Sequence, residues 1–386
     1  MRILHLITRL ILGGAQENTL LSCAGQVEHG HDVTLAYGPI YGPEGSLHET
    51  AQTTGAHLVE LPDMIRAVHP WRDLKCYRQC KQLIRELKPD VVHTHTAKAG
   101  IVGRAAAHAM RVPRIVHTIH GLPFHAHQSK IIHAIYVAAE RYCARRCHRI
   151  VSVADSMTEQ ALAAGIGHPD QFQTVYSGMD VEPYLSARDD RGATRDELGL
   201  AHDDRVIGTV ARLAELKGHD DLLDGLAPRL KRDPPLKLLW VGDGWWRERL
   251  TRRARELGLL DRIVMTGLVP PADVPRMMRA MDLLVHPSYH EGLPRTLPQA
   301  LLSGVPVVAY DTDGSGEVCR DGQTGKLAPT GDARALADTV EWMIDHPDER
   351  RAMARRGRDF CAARFDHRQM IRQLQTIYEA GAPAAS

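Results

Sequence analysis

The segment between Leu283 and Tyr310 constrains the fold more strongly than the rest of the chain. Two apolar runs typical of buried strands, 283–285 and 305–310, enclose it. Between them, residues 291–294 have the composition of a loop, Thr296 is a good N-cap for a short helix, and Gly304 suits the position just after the helix end. A strand, a loop, a helix and a second strand in this order indicate a βαβ unit of a parallel sheet.

The loop in this segment suits an anionic ligand that also carries hydroxyl groups. A loop that leads into a helix N-terminus presents several backbone N–H groups without an intrahelical partner, and these attract anions. Glu291 lies at the mouth of the loop, where its carboxylate can accept hydrogen bonds from sugar hydroxyls. Phosphates bound beside such a carboxylate would suit a nucleotide sugar.

The same alternation of strand and helix signals continues through the chain. Residues 1–7, the glycines Gly13 and Gly14, and a helical pattern over 15–29 open one series, and residues 205–210 open a second. A chain of 386 residues is long enough for two domains. We therefore expect the α/β class, with two doubly wound, Rossmann-like parallel sheets in separate domains that face a cleft.

A polar stretch between the two series marks the expected domain boundary. Residues 178–201 contain a proline and a dense run of charged side chains, which is typical of an interdomain link. We place an N-terminal domain at 1–180 and a C-terminal domain at 201–365. A last helical segment follows at 366–386.

Composition narrows the class of partner and the redox environment. The formal net charge is +1, so no excess of positive charge attracts nucleic acid. The seven cysteines are odd in number and form no C-x-x-C pair, which indicates reduced thiols and a cytoplasmic location. The apolar N-terminus is typical of a first strand rather than a signal peptide, and no run approaches the roughly 20 apolar residues that a spanning helix needs.

Two histidine pairs have a spacing that can hold a metal ion. His93 and His95 are two residues apart and share a strand face, and His125 and His127 have the same spacing. No cysteine or acid completes a ligand set for either pair. Because the chain has 22 histidines, such pairs arise by chance, and we predict no metal site.

Residues 287–300 resemble the signature of a known family. The segment reads Pro287-Ser288-Tyr289-His290-Glu291-Gly292-Leu293-Pro294, then Gln299-Ala300. This is similar to the E-x7-E donor-site pattern of the retaining glycosyltransferases of family 4, the glycogen-synthase-like group with the GT-B fold. Upstream, Ala211-Arg212-Leu213 and Lys217-Gly218 resemble that family's G-R-L-x-x-x-K-G motif, with alanine for the first glycine.

The resemblance implies a reaction and assigns residues to it. The reaction is transfer of a sugar from a nucleotide diphosphate sugar to an acceptor hydroxyl, with retained anomeric configuration and without a cofactor. The residues implied near the reacting sugar and diphosphate are His120, which matches a T-x-H-[DG] pattern, and Arg212, Lys217 and Glu291. Those implied around the donor are Gly13, Gly14, Gly242, Gly292, Leu293, Pro294 and Gln299.

The family also suggests a setting for the reaction. The acceptor is expected to be a glycan or a lipid-linked molecule, in the synthesis of a cell-surface polysaccharide or glycolipid. The family implies that the N-terminal domain, here 1–180, binds the acceptor and that the C-terminal domain, here 201–365, binds the nucleotide-sugar donor. In this family the last helix, here within 366–386, crosses back to the N-terminal domain. Two alternatives stay open: a nucleotide-sugar epimerase or sugar phosphorylase of the same architecture, and a noncatalytic sugar-binding protein. Intact Glu291, Arg212 and Lys217 argue against the noncatalytic alternative.

Gln299 departs from the family pattern, which usually has a second glutamate here. Its amide can donate and accept hydrogen bonds to a ribose, but it brings no charge. Thr296-x-x-Gln299 also has the form of a capping box, in which the glutamine only caps its helix. Both roles stay open. Asp311-Thr312-Asp313 matches a D-x-D metal motif, but it follows a buried strand of a different architecture, and we treat the match as a coincidence.

The helix expected over residues 129–147 has two interpretations. It mixes Ile131, Ile132 and Ile135 with Arg141 and Arg145. Such a helix can cover a sheet with its basic face in water, which is the interpretation that we favour. It can also lie on a membrane surface, which would bring the N-terminal domain to the inner face of the membrane.

Overall fold

The computed structural model describes residues 1–42, 44–125, 128–186, 188 and 190–380, and it divides into two compact units. Unit 1 consists of Met1–Met179 and the segment that begins at Asp366, and unit 2 consists of Asp180–Phe365. Each unit has one sheet in which all neighbouring strands are parallel. The predicted class, α/β with two Rossmann-like parallel sheets, is confirmed.

The strands alternate with helices along the chain. In unit 1 the strands are β1 (Arg2–Arg9), β2 (Asp32–Gly38), β3 (His57–Glu60), β4 (Val91–His95), β5 (Arg114–Ile119), β6 (Arg149–Ser152) and β7 (Phe172–Thr174). In unit 2 they are β8 (Arg205–Val210), β9 (Leu236–Val241), β10 (Ile263–Gly267), β11 (Leu283–His286), β12 (Val307–Tyr310) and β13 (Lys326–Ala328). The sheet orders are β3-β2-β1-β4-β5-β6-β7 and β10-β9-β8-β11-β12-β13.

The α-helices, in chain order, connect and cover these strands. They are α1 (Gly14–Glu28), α2 (His48–Gln52), α3 (Pro70–Leu87), α4 (Ala97–Ala109), α5 (Lys130–Ala144), α6 (Asp155–Ala163), α7 (Glu182–Leu185), α8 (Arg191–Glu197), α9 (His219–Arg232), α10 (Arg247–Glu256), α11 (Val274–Arg279), α12 (Thr296–Leu302), α13 (Ser315–Val318), α14 (Ala333–Asp345), α15 (Pro347–Arg364) and α16 (His367–Glu379).

Strand β1 shows why the chain folds as a covered parallel sheet. After Arg2, every residue of this strand is buried. A strand buried on both faces needs helices on both sides of the sheet, and crossover helices supply them. The core of unit 1 therefore includes side chains from the strands and from the helices over them, such as Ile3, Leu35, Leu20 and Leu374.

The last helix, α16, belongs to unit 1 although it follows unit 2 in the chain. It packs on α1, where a Cβ atom placed on Gly25 would lie only 2.2 Å from Cδ1 of Ile371. The two helices can approach this closely because residue 25 has no side chain. Helix α16 thus fills core positions of unit 1 through Met370, Ile371 and Tyr378.

The polar stretch that the sequence indicated as a link is folded onto unit 2. Its described part carries α7 and α8, and Arg195 of α8 is buried. The Arg195 guanidinium donates to the carbonyl oxygens of Ala280 and Asp204 and to the Asp282 carboxylate. The stretch was predicted to be a link because it is rich in charge. In the structure the charged side chain of Arg195 instead fastens the stretch to the rest of unit 2.

The isoleucines of helix α5 are exposed, although a helix that covers a sheet would bury them. Ile131 is 74% exposed, Ile135 is 62% exposed, and Ile132 is also exposed. The interpretation that this helix covers the sheet with its basic face in water therefore holds only in part: Cys143 and Ala144 are buried, but these isoleucines are in water as well. Among the helices of the described residues, none is both long and apolar enough to cross a bilayer.

Candidate functional site

The candidate residues of unit 2 lie at the carboxyl edge of its sheet. Strands β8 and β11 are neighbours, and the chain moves outward from them in opposite directions. Arg212 and Lys217 follow β8, and Glu291 follows β11. In open α/β sheets, this reversal of strand order opens the crevice in which ligands bind.

Lys217 and Glu291 form an ion pair at this point. The Nζ of Lys217 lies 2.5 Å from Oε1 of Glu291 and 3.4 Å from Oγ of Ser288. The same glutamate oxygen lies 3.1 Å from Nε2 of His286. The sequence assigned Lys217 to a diphosphate and Glu291 to a sugar, and the structure brings the two together. Arg212 is exposed on the loop that carries Lys217.

The surroundings of Glu291 keep its carboxyl group ionised. Burial alone would raise its pKa, but the Lys217 ammonium and the hydrogen bond with His286 hold that pKa well below its usual range. The Glu291 backbone N–H donates to Oδ2 of Asp313 at 2.6 Å. Glu291 is therefore an oriented acceptor for hydroxyl groups at neutral pH.

Asp313, the second acid of the D-x-D pattern, is engaged with the loop after β11. Its Oδ2 accepts the Glu291 N–H and lies 3.2 Å from Nδ1 of His290. Its backbone φ is 48°, in the left-handed region. Asp313 thus holds the shape of the loop that presents Glu291, a role that the D-x-D pattern does not indicate.

Two glycines allow the loops at this edge to lie close together. Gly218 has φ 68°, and a Cβ there would lie 1.9 Å from the carbonyl oxygen of Pro287. Gly242 has φ 138°, and its Cβ would lie 2.1 Å from the carbonyl oxygen of Ala211. A side chain at either position would push the loops apart. Gly242 therefore has a packing role, and its contact with the donor stays a prediction.

The predicted donor residues before α12 are buried. Gly292, Leu293 and Pro294 follow Glu291 directly, and the carbonyl oxygen of Gly292 accepts the N–H of Gly314 at 3.0 Å. Proline has no N–H, so the backbone donors of this run are Gly292 and Leu293.

The predicted capping box at the start of α12 is wrong. The helix begins at Thr296 with Arg295 as N-cap, and Arg295 already has helical backbone angles. The Thr296 hydroxyl lies 3.2 Å from Nδ1 of His286. Gln299 is 8% exposed, and its backbone N–H donates to the Arg295 carbonyl. Helix capping therefore does not explain Gln299.

In unit 1, His120 directly follows β5 and contacts the first of two buried histidines. Its Nε2 lies 3.0 Å from Nδ1 of His95, at the end of β4. Nε2 of His95 lies 2.9 Å from Nδ1 of His5 on β1. Burial lowers the pKa of His5 to about 4 and that of His95 well below its usual value. The two imidazoles behind His120 are therefore neutral at pH 7.

Gly13 and Gly14 form the start of α1, beyond the carboxyl end of β1. Gly13 is the N-cap, and its φ of 175° is ordinary extended backbone. A Cβ on Gly13 would lie 2.7 Å from Oε1 of Gln16, so glycine leaves space at the helix N-terminus. This geometry suits the predicted approach of a phosphate.

Three histidines, His5, His93 and His95, have ligand atoms within 4.8 Å of one another. Each of their ring nitrogens already has a hydrogen-bond partner. For His93 these partners are the hydroxyl groups of Tyr378 and Thr118. A cation would have to displace these bonds. In the second histidine pair, His127 lies outside the described residues.

Sequence analysis missed several residues of the site. His286 is buried and contacts Glu291, and Ser288 contacts Lys217. His219 is buried with neither ring nitrogen paired among the described residues, and burial beside Lys217 lowers its pKa to about 3. Their signal in the sequence is proximity: each lies within five residues of Glu291 or Lys217.

Two protein-family models match the chain. The model described as "Glycosyltransferase Family 4" matches residues 12–183, and the model described as "Glycosyl transferases group 1" matches residues 190–360. The first match lies mainly in unit 1 and the second in unit 2.

Named relatives and solved structures are similar over most of the chain. The 2-deoxystreptamine glucosyltransferase of Streptomyces kanamyceticus is 30% identical over 74% of this chain and 76% of its own length. The UDP-Gal:alpha-D-GlcNAc-diphosphoundecaprenol alpha-1,3-galactosyltransferase of Escherichia coli is 26% identical over 74% of each chain. HepE of Anabaena, solved with UDP-glucose, gives a TM-score of 0.84 at 24% identity over 98% of this chain and all of HepE. Sucrose-phosphate synthase of Thermosynechococcus elongatus gives 0.83 at 19% identity over 98% of each chain. The fold is GT-B.

Proposed function

This chain belongs to the glycosyltransferases of family 4 and uses nucleotide sugars, and from this premise we propose that it moves a sugar to an acceptor hydroxyl with retention of anomeric configuration. The observation that carries the proposal is the contact of Lys217 and His286 with Glu291 at the strand-order reversal of unit 2. It combines a cation for phosphate with an ionised carboxylate for hydroxyls at one sheet edge.

The proposed chemistry exchanges one bond at the sugar for another. The bond from the anomeric carbon to the β-phosphate oxygen breaks, and the acceptor oxygen bonds to that carbon from the same face. The acceptor proton passes to the departing phosphate oxygen, so the products are a glycoside and a nucleoside diphosphate. Arg212 and Lys217 stabilise the charge that grows on the phosphate, and Glu291 and His120 hold sugar hydroxyls.

The donor class has support from named proteins. HepE was solved with UDP-glucose, and the relative from Escherichia coli is named for UDP-Gal. A nucleoside diphosphate sugar is therefore the proposed donor of this chain. In the proposed mechanism two cationic side chains neutralise the diphosphate, so no metal ion is required.

The proposal is tested by product analysis with a panel of nucleotide sugars and acceptors. Proton NMR of the product should show the same anomeric configuration as the donor, and EDTA should leave the rate unchanged. An inverted product would reject retention. Loss of activity in EDTA that Mg²⁺ or Mn²⁺ restores would return Asp311 and Asp313 to consideration as ligands. Conversion of the donor without acceptor would identify an epimerase instead.

We predict that Gln299→Ala weakens donor binding several-fold. The buried amide lies in the first turns of α12, and hydrogen bonds of about 1 kcal/mol to a ribose would be lost. Calorimetry of donor binding measures this effect, with Gln299→Glu as the variant that should be tolerated. Ser303→Ala, at the C-cap of the same helix, is the control, because among the described residues the Ser303 hydroxyl donates to the Gln299 carbonyl alone. Unaltered donor affinity in Gln299→Ala would exclude the ribose role.

We also propose that α5 brings unit 1 to an anionic membrane surface, where a lipid-linked acceptor of a cell-surface glycan would lie. Ile131 and Ile135 are exposed on this helix together with Lys130 and Arg141, and Arg145, its C-cap residue, is exposed as well. Apolar side chains flanked by cations are the combination that binds anionic lipid surfaces. The relative from Escherichia coli is named for a diphosphoundecaprenol-linked acceptor, which supports this choice.

Flotation with lipid vesicles tests whether α5 binds an anionic membrane surface. The protein should bind vesicles that contain phosphatidylglycerol, and the double variant Ile131→Asn, Ile135→Asn should lose most of that binding. Leu268→Asn, which changes an exposed leucine of unit 2, is the matched control and should bind normally. Equal binding by the double variant and the parent protein would contradict the proposal.

A further inference from the structure

A continuous chain of hydrogen bonds runs from His120 into the interior of unit 1. Its members, in order, are His120, His95, His5, Gln26, Tyr378, His93 and Thr118. The six distances between their nitrogen and oxygen atoms lie between 2.6 and 3.0 Å. Except for His120, every member is buried. The chain therefore connects a candidate site residue to groups that water does not reach.

The sheet register explains why these side chains meet. His5 pairs with His93 across β1 and β4, and His95 pairs with Thr118 across β4 and β5. Residues two apart on a strand share a face, which places His95 beside His93 on β4. His120 directly follows the last residue of β5, two positions after Thr118. On that face, α1 supplies Gln26 and α16 supplies Tyr378.

Neutral imidazoles make the direction of such a chain definite. Each neutral ring has one N–H that donates and one nitrogen that accepts, so fixing one bond fixes the next. Burial lowers the pKa of His93 well below its usual value, as it does for His5 and His95. The three buried rings therefore act as one-way links at neutral pH.

The Gln26 amide sets this direction. Its Oε1 faces His5 at 2.7 Å, and its Nε2 donates to the Tyr378 hydroxyl at 3.0 Å. An amide oxygen can only accept, so Nε2 of His5 carries the proton and Nδ1 of His5 accepts. Nε2 of His95 then donates to His5, and Nδ1 of His95 accepts from His120.

We infer that this chain holds neutral His120 as the tautomer protonated at Nε2, and that Gln26 is a positioning residue for it. The Nδ1 of His120 is then the accepting nitrogen, suited to a hydroxyl group that donates. The reverse tautomer would require Gln26 to turn its NH2 group to His5 and the whole chain to reverse. The inference rests on the proposed function only for the statement that His120 meets the donor sugar.

The tautomer can be read directly in the full-length protein. Histidine labelled with ¹⁵N gives separate shifts for protonated and unprotonated ring nitrogens, and loss of one signal set in His120→Asn assigns that residue. We expect a protonated Nε2 and an unprotonated Nδ1 at His120. A protonated Nδ1 on neutral His120 would overturn the inferred direction, whether or not the protein transfers sugar.

Variants at Gln26 test its positioning role. Gln26→Leu should give a mixture of His120 tautomers and lower kcat about three- to tenfold with little change in KM, because only part of the population is competent. Gln26→Glu keeps an acceptor for His5 and should keep the parent tautomer. Ser22→Ala, one turn earlier on α1, is the control, because in the described part of the chain the Ser22 hydroxyl donates to the Asn18 carbonyl alone.

The outcomes separate this inference from the proposed function. An unchanged His120 spectrum in Gln26→Leu would overturn the role of Gln26. If Gln26→Leu does not fold, a shifted tautomer in Gln26→Glu would overturn it equally. If the protein gives the expected spectra but transfers no sugar, the inferred chain of hydrogen bonds stands and the proposed function is rejected.

Discussion

Lys217→Ala is expected to lower turnover by about two to three orders of magnitude, the loss typical when one preorganised charge-stabilising group is removed. Nζ of Lys217 lies beside the Glu291 carboxylate, so the cation is held at the sheet edge before a donor arrives. This cation would stabilise the negative charge that grows on the proposed diphosphate as it leaves. Steady-state rates at saturating donor measure the effect, and donor affinity should fall as well.

A second readout separates this effect from general damage. Removing Lys217 removes a cause of the low pKa of Glu291, so that pKa should rise. Since the proposed mechanism uses Glu291 as a carboxylate, the acidic limb of the rate profile should then move to higher pH. Lys231→Ala, at an exposed position near the end of α9, is the control and should behave like the parent. Parent-like turnover in Lys217→Ala would remove Lys217 from the mechanism.

Glu140→Ala is expected to destabilise unit 1 by about 3–5 kcal/mol, the usual result when a buried ion pair loses one partner. Arg104 is fully buried, and its Nη2 lies 2.7 Å from Oε2 of Glu140. Its Nε donates to the Gly100 carbonyl, while its Nη1 has no partner among the described residues. Without Glu140, the guanidinium would be a buried and uncompensated charge.

Hydrogen exchange followed by mass spectrometry can locate this loss. Peptides from β4 and β5 should lose protection in Glu140→Ala, while peptides from β8 and β11 in unit 2 serve as internal control. The double variant Arg104→Met, Glu140→Met should recover much of the stability, because an apolar pair of similar volume can replace a buried ion pair. Equal protection of unit 1 in the parent and in Glu140→Ala would contradict the prediction.

The strands were the most predictable part of the fold. The expected strand at 205–210 agrees with β8, and the run at 283–285 lies within β11, because continuous apolar runs between turn residues are typical of covered parallel strands. Gly304 was predicted correctly as the residue just beyond the C-cap of α12: its φ is 79°, and the Val305 N–H donates to the Ala300 carbonyl. These features depend on neighbours close in sequence.

The predictions failed where contacts between residues distant in sequence determine the local structure or the exposure of a side chain. Thr296 has the right residue type for an N-cap, but Arg295 adopts helical angles, and His286 takes the Thr296 hydroxyl. The isoleucines of α5 have the composition of a buried face, and only the placement of the helix shows that they are exposed. Likewise, Tyr378 meets His93 across 285 positions of sequence, which no local pattern reveals.

The packing of α16 on α1 sets an order of events during synthesis of the chain. The ribosome completes Met1–Met179 long before it reaches His367, because all of Asp180–Phe365 comes between. Until then, nascent unit 1 lacks Ile371 and Leu374 over α1, and His93 lacks the Tyr378 hydroxyl. The apolar surface of α1 is meanwhile open to chaperones or to other nascent chains. The first unit to be translated is thus the last to be completed.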